Sequence, residues 1–336
     1  WIVTRSSGQQ SRGYGRIEDL FAGGKLYAPA GDLTLPPLPA SSAGPDIRQL
    51  ILGSEGRLGI LTEATVRVSP LPEVERFHAM FFPSFEAGQA AVRQMMQAKI
   101  PLSMLRLSNA IETDTLLRMA GHERLIGTLE TLLGFRGISE GKVMLLMGFT
   151  GQEALVNSAR KEADRIAKAN EGVYAGKQFG TQWQKGRFHS PYLRNTLWNM
   201  GYGVDTLETA VTWNKVEQTL AAMEESLRTA LDDENEKLHV YTHLSHMYAS
   251  GCSIYTTYLF RLAHDPEEDL RRWYKMKTAA SEAIVQHGGT ISHQHGVGKD
   301  HKPYLPAEKG ALGMRMVQSV IDELDPQGLM DNGNLV

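Results

Sequence analysis

Cysteine is almost missing from this chain of 336 residues, where Cys252 stands alone. One thiol excludes a disulfide framework and a zinc or iron–sulfur site built on cysteines, and it fits a reducing compartment. An excess of positive charge is missing too. With 35 basic against 38 acidic side chains the formal net charge is −3. No basic excess is available to neutralise a phosphate backbone, so no nucleic-acid partner is expected. No apolar run reaches the roughly 18–20 residues that span a bilayer. The longest candidate, residues 143–149, is of strand length. The chain opens Trp1-Ile2-Val3-Thr4, without Met and without a signal-peptide pattern. It is read as the remainder of a longer protein whose targeting information lies upstream.

What is present suits a folded, mixed α/β molecule. Hydrophobic residues make up 42% and charged residues 22%, enough apolar surface for a large core, and the length suggests about two domains. Residues 1–30 are turn-rich and glycine-spaced, with a short strand expected at 25–29. Pro36, Pro37 and Pro39 with Ser41, Ser42 and Gly44 read as a loop. Residues 60–68 alternate and are β-branched, hence a strand, and Ser69-Pro70-Leu71-Pro72 then marks a domain boundary. Beyond it, strands are expected at 76–82, 103–107, 142–149, 238–242 and 252–262, and helices at 86–99 and 153–170. Val216, Leu220, Met223, Leu227 and Leu231 recur at helical spacing. The acidic run 232–236 reads as a solvated loop. Asp265-Pro266-Glu267-Glu268 starts a helix, because Asp caps free amides, Pro fits the first turn and Glu suits the positive end of the dipole. That helix runs to His287 and stops at Gly288-Gly289. A last helix covers about 307–323. Adjacent strands without long crossovers give the sheet an antiparallel flavour, and the class is α+β.

Two glycine turns draw attention. Gly53-Ser54-Glu55-Gly56-Arg57-Leu58-Gly59 is followed by a strand, so it is not a dinucleotide fingerprint, which needs a helix there. It also lacks a P-loop ending. It is either a plain tight turn or one whose bare backbone lets a cofactor approach. Thr4-Arg5-Ser6-Ser7-Gly8 is either a surface loop or a set of hydroxyls and a guanidinium able to hold a pyrophosphate.

Taken in order, these two turns with Tyr14-Gly15-Arg16-Ile17-Glu18-Asp19-Leu20, Gly44-Pro45-Asp46-Ile47 and Ser292-His293-Gln294-His295-Gly296-Val297-Gly298-Lys299 carry a resemblance. The chain resembles the vanillyl-alcohol-oxidase-type flavin oxidoreductases, and within them the alkyldihydroxyacetonephosphate synthase family. The likeness covers essentially the whole length, strongest at 1–72 and 240–336. It implies the C-terminal part of a PCMH-type FAD-binding domain over 1–72 and a cap, or substrate, domain with antiparallel sheet over 73–305. A helix and tail over 306–336 would return to the flavin site. By the same resemblance FAD would be touched by Thr4, Arg5, Ser6, Ser7, Glu55, Gly56, Arg57, Leu58, Gly59, Ile60 and Leu61. The family's upstream glycine-rich loop is not in this sequence, so the fragment alone is expected to bind FAD poorly.

Related metal-dependent 2-hydroxy-acid dehydrogenases carry His-x-x-Gly-x-Gly-Asn-x-His and a later Glu-His-Gly. This chain reads His246-Met247-Tyr248-Ala249-Ser250-Gly251-Cys252-Ser253-Ile254-Tyr255, then Gln294-His295-Gly296. Tyr255 and Gln294 stand where ligands would, so no metal is expected. The synthase has a tyrosine at the matching position. Alone, Tyr255 reads as a packed strand aromatic. With the resemblance it becomes the acid/base, and nearby cations (His293, His295, Arg194 or Arg106) would favour its ionised form.

The resemblance further makes Arg194 the substrate-phosphate anchor and Arg106 an activity-linked arginine, whose charge on an apolar strand wants a partner. His293 and His295, two apart and so on one face of extended backbone, would stabilise developing charge. Asn332 would lie near the active site. His239, His243 and Cys252 read as structural. The implied reaction exchanges the acyl group of acyl-dihydroxyacetone phosphate for a long-chain fatty alcohol, with flavin as electrophile and no net redox change. The lipid substrate raises the expectation of peripheral membrane contact, although no amphipathic anchor is evident; a homodimer is also expected. The compartment would be cytoplasmic in a bacterium and peroxisomal in a eukaryote. Two other readings stay open: hydride transfer from a D-2-hydroxy acid such as lactate or glycolate, and a non-catalytic flavin-fold remnant.

Overall fold

A computed structural model describes residues 1–121, 123–263 and 265–336. They form helices and antiparallel sheets, the expected α+β class, in two compact units. One unit joins the two ends of the chain, Trp1–Pro70 and Thr290–Val336; the other is the intervening Leu71–Gly289. The boundary near 70 falls at the Pro-rich punctuation. The second does not fall at 305: residues 290–305 belong with the termini, because Gly288 and Gly289 end the preceding helix and the chain leaves the sheet there.

In the terminal unit, β1 (Phe21–Ala28) pairs antiparallel with β2 (Gly31–Leu35) and β3 (Ile60–Val66). Within the turn-rich stretch 1–30 the strand expected at 25–29 therefore begins earlier, at Phe21, and takes in Gly23 and Gly24. The reason is close approach: a Cβ on Gly24 would sit 2.0 Å from the carbonyl oxygen of Glu63 on β3. Ile17, Phe21, Leu26, Leu35, Ile51, Leu52 and Leu58 pack with Ile321 from the C-terminal helix (Leu305–Leu324). At roughly 1.5–3 kcal/mol for each fully buried large side chain, this shared core joins the two ends.

The central unit is a seven-stranded sheet of β4 (Val74–Phe82), β5 (Met104–Ser108), β6 (Val143–Gly151), β7 (Val173–Tyr174), β8 (Tyr202–Thr212), β9 (His239–Met247) and β10 (Gly251–Arg261). The strand order is β7-β4-β6-β5-β9-β10-β8, and every pairing is antiparallel. Strand β6 is buried over 143–149, as a central strand covered on both faces should be. Its helices are α1 (Phe85–Gln97), α2 (Ala110–Met119), α3 (Glu123–Gly134), α4 (Glu153–Ala169), α5 (Gln178–Gly186), α6 (Leu193–Asn199), α7 (Val216–Thr229) and α8 (Pro266–Gln286). Asp265 caps α8 by accepting from the Glu267 amide, with Pro266 in its first turn. The acidic run 232–236 is not a free loop. Glu234 pairs with Arg271 at 2.8 Å and Arg272 at 3.0 Å, and Glu236 with Arg261 at 3.0 Å, pinning the turn to α8 and β10.

Candidate functional site

In the terminal unit, the two suspect turns are neighbours. The Glu55 amide donates to the Val3 carbonyl at 2.9 Å, and both Arg5 (φ 56°) and Glu55 (φ 52°) adopt the left-handed conformation. Side chains rarely hold that conformation without support. Here the Glu55 carboxylate accepts from the backbone amides of Val297 and Gly298, the latter at 2.8 Å. Its carbonyl accepts from Asn332 Nδ2 at 2.8 Å, while Asn332 Oδ1 accepts from the Asn334 amide. Asn332 thus holds the turn. Arg57 is buried and ion-paired with Asp331 of the tail. Leu58 belongs to the core, and Ile60 and Leu61 open β3. The Thr4 and Ser6 hydroxyls are 2.9 Å apart. The Ser7 hydroxyl is buried with no hydrogen-bond partner among the described residues.

The Ser292-to-Gly298 segment is a succession of bends, so the premise that His293 and His295 share a face fails. His293 is buried and His295 exposed. Arg16 donates to His293 Nε2 at 2.7 Å and to its carbonyl at 3.2 Å. A guanidinium only donates, so Nε2 accepts and the ring proton belongs on Nδ1.

The central unit carries the second constellation. Strands β5, β9, β10 and β8 lie side by side, and side chains alternate across them. Leu207, Leu244 and Ile254 are fully buried on one face, where Lys277 and Trp273 of α8 reach Asp205 at 3.0 and 2.7 Å. The opposite face is polar. One rung across it reads Ser108, His243, Tyr255, Glu208, each directly opposite the next. Beside that rung, Ser245 donates to Glu208 at 2.8 Å and meets the Ser253 hydroxyl at 2.8 Å. The His243 and Tyr255 rings stack, with centroids 4.8 Å apart and planes 18° apart.

Arg106 finds the partner its position demanded, since its Nη2 donates to Glu112 at 2.7 Å. Burial alone would raise the Glu112 carboxyl, but Arg106 and then His243 beside it hold it well below the usual carboxylate range. Burial and Arg106 push His243 below its ordinary value, against the pull of Glu112. Its ring is therefore neutral near pH 7, donating from Nδ1 to Glu112 at 2.9 Å. Tyr255 corrects the expectation of an ionised phenol. Burial raises it, and Glu208 adds to this, against lesser lowering by a Thr206 hydrogen bond and by Arg106. Arg194 is exposed on α6, which packs along β8.

The sequence reading missed Glu208, Glu112 and a role for His243. The alternating β-branched run 202–212 was the available signal for β8 and its inward Glu208. Glu208 and His246 also bring possible ligand atoms within 4.8 Å of each other, a pair that the substituted motif did not suggest.

An alkyldihydroxyacetonephosphate synthase of Trypanosoma brucei brucei is 28% identical across 100% of this chain and 56% of its own length. One of Caenorhabditis elegans is 29% identical across 100% of the chain and 58% of its own. The chain therefore spans a little over half the length of these curated relatives. A solved alkyldihydroxyacetonephosphate synthase superposes with a TM-score of 0.80 at 24% identity, over 100% of this chain and 58% of that one, which shows the shared fold. The family model for FAD linked oxidases, C-terminal domain, matches residues 71–335. Across most of its length, then, this polypeptide is a member of the family of FAD linked oxidases, C-terminal domain.

Proposed function

We propose that the chain is the C-terminal portion of an FAD-dependent alkylglycerone-phosphate synthase, which exchanges the acyl group of acyl-dihydroxyacetone phosphate for a long-chain fatty alcohol. The observation that carries this reading is the polar rung with Tyr255 at its centre, where related metal-dependent dehydrogenases place a histidine. Family membership brings FAD as cofactor, and the terminal unit fits it. A buried hydroxyl on Ser7 has no partner among the described residues, two turns hold left-handed backbone, and the Glu55 carboxylate that would repel phosphate is turned onto the Val297 and Gly298 amides. Thr4, Arg5, Ser6, Ser7 and the backbone of residues 55–61 would hold it. When bound, FAD supplies an electrophilic ring for carbon–nitrogen chemistry.

The chain's own residues handle protons and charge. Tyr255 enters as the neutral phenol, the form its buried setting favours. Its O–H donates a hydrogen bond to the acyl group, which departs as the carboxylate. As the incoming alcohol adds, Tyr255 accepts the alcohol's hydroxyl proton while passing its own on to the leaving carboxylate, so one proton is relayed and the phenol ends neutral. Arg194 anchors the substrate phosphate from its exposed position on α6, as a guanidinium fork suits a phosphate monoester. His293, its tautomer set by Arg16, offers Nδ1–H to developing negative charge.

Tyr255→Phe in the full-length protein should abolish ether-bond formation while flavin content, read from visible absorbance, stays unchanged. Undiminished turnover would remove the reading. A second reading, hydride transfer from a D-2-hydroxy acid, draws on the Glu208–His246 pair. Anaerobic bleaching of the flavin by D-lactate would select it.

A further inference from the structure

Beneath the polar face lies a carboxylate that the reaction above does not use. Glu112 is 1% exposed, and its Oε1 accepts from Arg106 on β5 at 2.7 Å and from His243 on β9 at 2.9 Å. The start of α2 fixes where it points: Asn109 Oδ1 accepts from the Glu112 amide at 2.9 Å, and Asn109 Nδ2 donates to Glu224 at 2.8 Å. A charge this deep persists only when paired, and a buried ion pair is in general a poor route to stability compared with packed apolar side chains. Arg106 Nε, moreover, is buried with no partner among the described residues, so stability alone does not account for the cluster. What the cluster does is fix a ring. With Nδ1 held by Glu112, the imidazole cannot turn about its own axis, and its face is the surface on which Tyr255 lies.

We propose that Glu112 and His243 are positioning residues for Tyr255, the carboxylate locking the imidazole and the imidazole setting the place of the phenol. The inference rests on Tyr255 as the proton-carrying group, but its test does not depend on turnover. The whole chain is labelled at tyrosine Cζ with carbon-13, and the Tyr255 resonance is the one lost in Tyr255→Phe. Glu112→Gln keeps the shape and removes the charge. His243→Phe keeps a stacked ring and removes the bond, and it decides the matter if Glu112→Gln does not fold. Both should move the Tyr255 resonance. In the full-length, FAD-loaded protein both should lower kcat on the order of 10²-fold, the cost of a misplaced group, with KM nearly unchanged. Asp325→Asn is the matched control: Asp325 is also buried, and its carboxylate accepts from the Leu329 and Met330 amides, both at 2.8 Å. It should lower Tm and leave the Tyr255 resonance in place. An unmoved resonance in the Glu112 and His243 variants, or an equal shift in the control, overturns the proposal. A shift in both variants, beside full turnover by Tyr255→Phe, upholds the positioning and removes the synthase reading instead.

Discussion

Single positions in this protein are constrained by neighbours that the linear order hides. Gly59 looks like part of a cofactor turn, yet a Cβ there would sit 2.5 Å from the Tyr27 carbonyl oxygen, at a φ of +140°. Gly59→Ala should therefore destabilise the terminal unit by about 2–3 kcal/mol, visible as a lower urea midpoint without any ligand present. His78, fully buried on β4 and bonded to the Tyr174 hydroxyl at 2.9 Å, shows a different constraint. Burial, then Arg160, Lys177 and Arg76, push it down from 6.5 to about 4. The unfolded chain takes up this proton below about pH 6.5 and the native state only near 4, so stability should fall as pH drops through that window. Comparing urea midpoints at pH 7 and pH 5, His78→Gln should show a smaller loss than the parent.

At the scale of elements, local chemistry was legible and lateral context was not. The Asp265-Pro266 start of α8, the helical spacing of α7 and the alternation of β3 each carry their own signal, and each stands within a few residues of where it was expected. Arg106 announced that it needed a partner, but not that Glu112 would supply it, because α2 had no periodic pattern to call attention to itself. The rung of Ser108, His243, Tyr255 and Glu208 joins four strands from 108 to 255, and only pairing register creates it. The acidic run 232–236 is exposed at Asp232, Asp233 and Asn235, as expected, but the partners of Glu234 and Glu236 were hidden for the same reason: they lie some 25 to 40 residues away, on β10 and α8. Since Glu234 meets both Arg271 and Arg272, Glu234→Gln should lower Tm by about 1–3 °C. The difference should shrink in high salt, which thermal melts at two ionic strengths would reveal.

For the molecule as a whole, the division into units has a direct test. Leu71–Gly289 is continuous in sequence and has its own core, in which Phe77, Ala79, Phe81, Met104, Leu146 and Leu133 pack together. Expressed alone, residues 71–289 should give a cooperative thermal transition and dispersed amide resonances. Residues 1–70 alone should give neither, because Ile321 and the surrounding C-terminal helix are absent from their core.

That split core also orders events during synthesis. Residues 1–70 leave the ribosome long before residues 290–336, which supply part of their packing. They must wait, incompletely folded, while the middle of the polypeptide emerges and collapses on itself. Only once residues 290–336 have left the exit tunnel can the two segments find each other, so a stall or premature stop between 289 and 336 would leave a well-formed middle flanked by an unfinished, chaperone-dependent remainder.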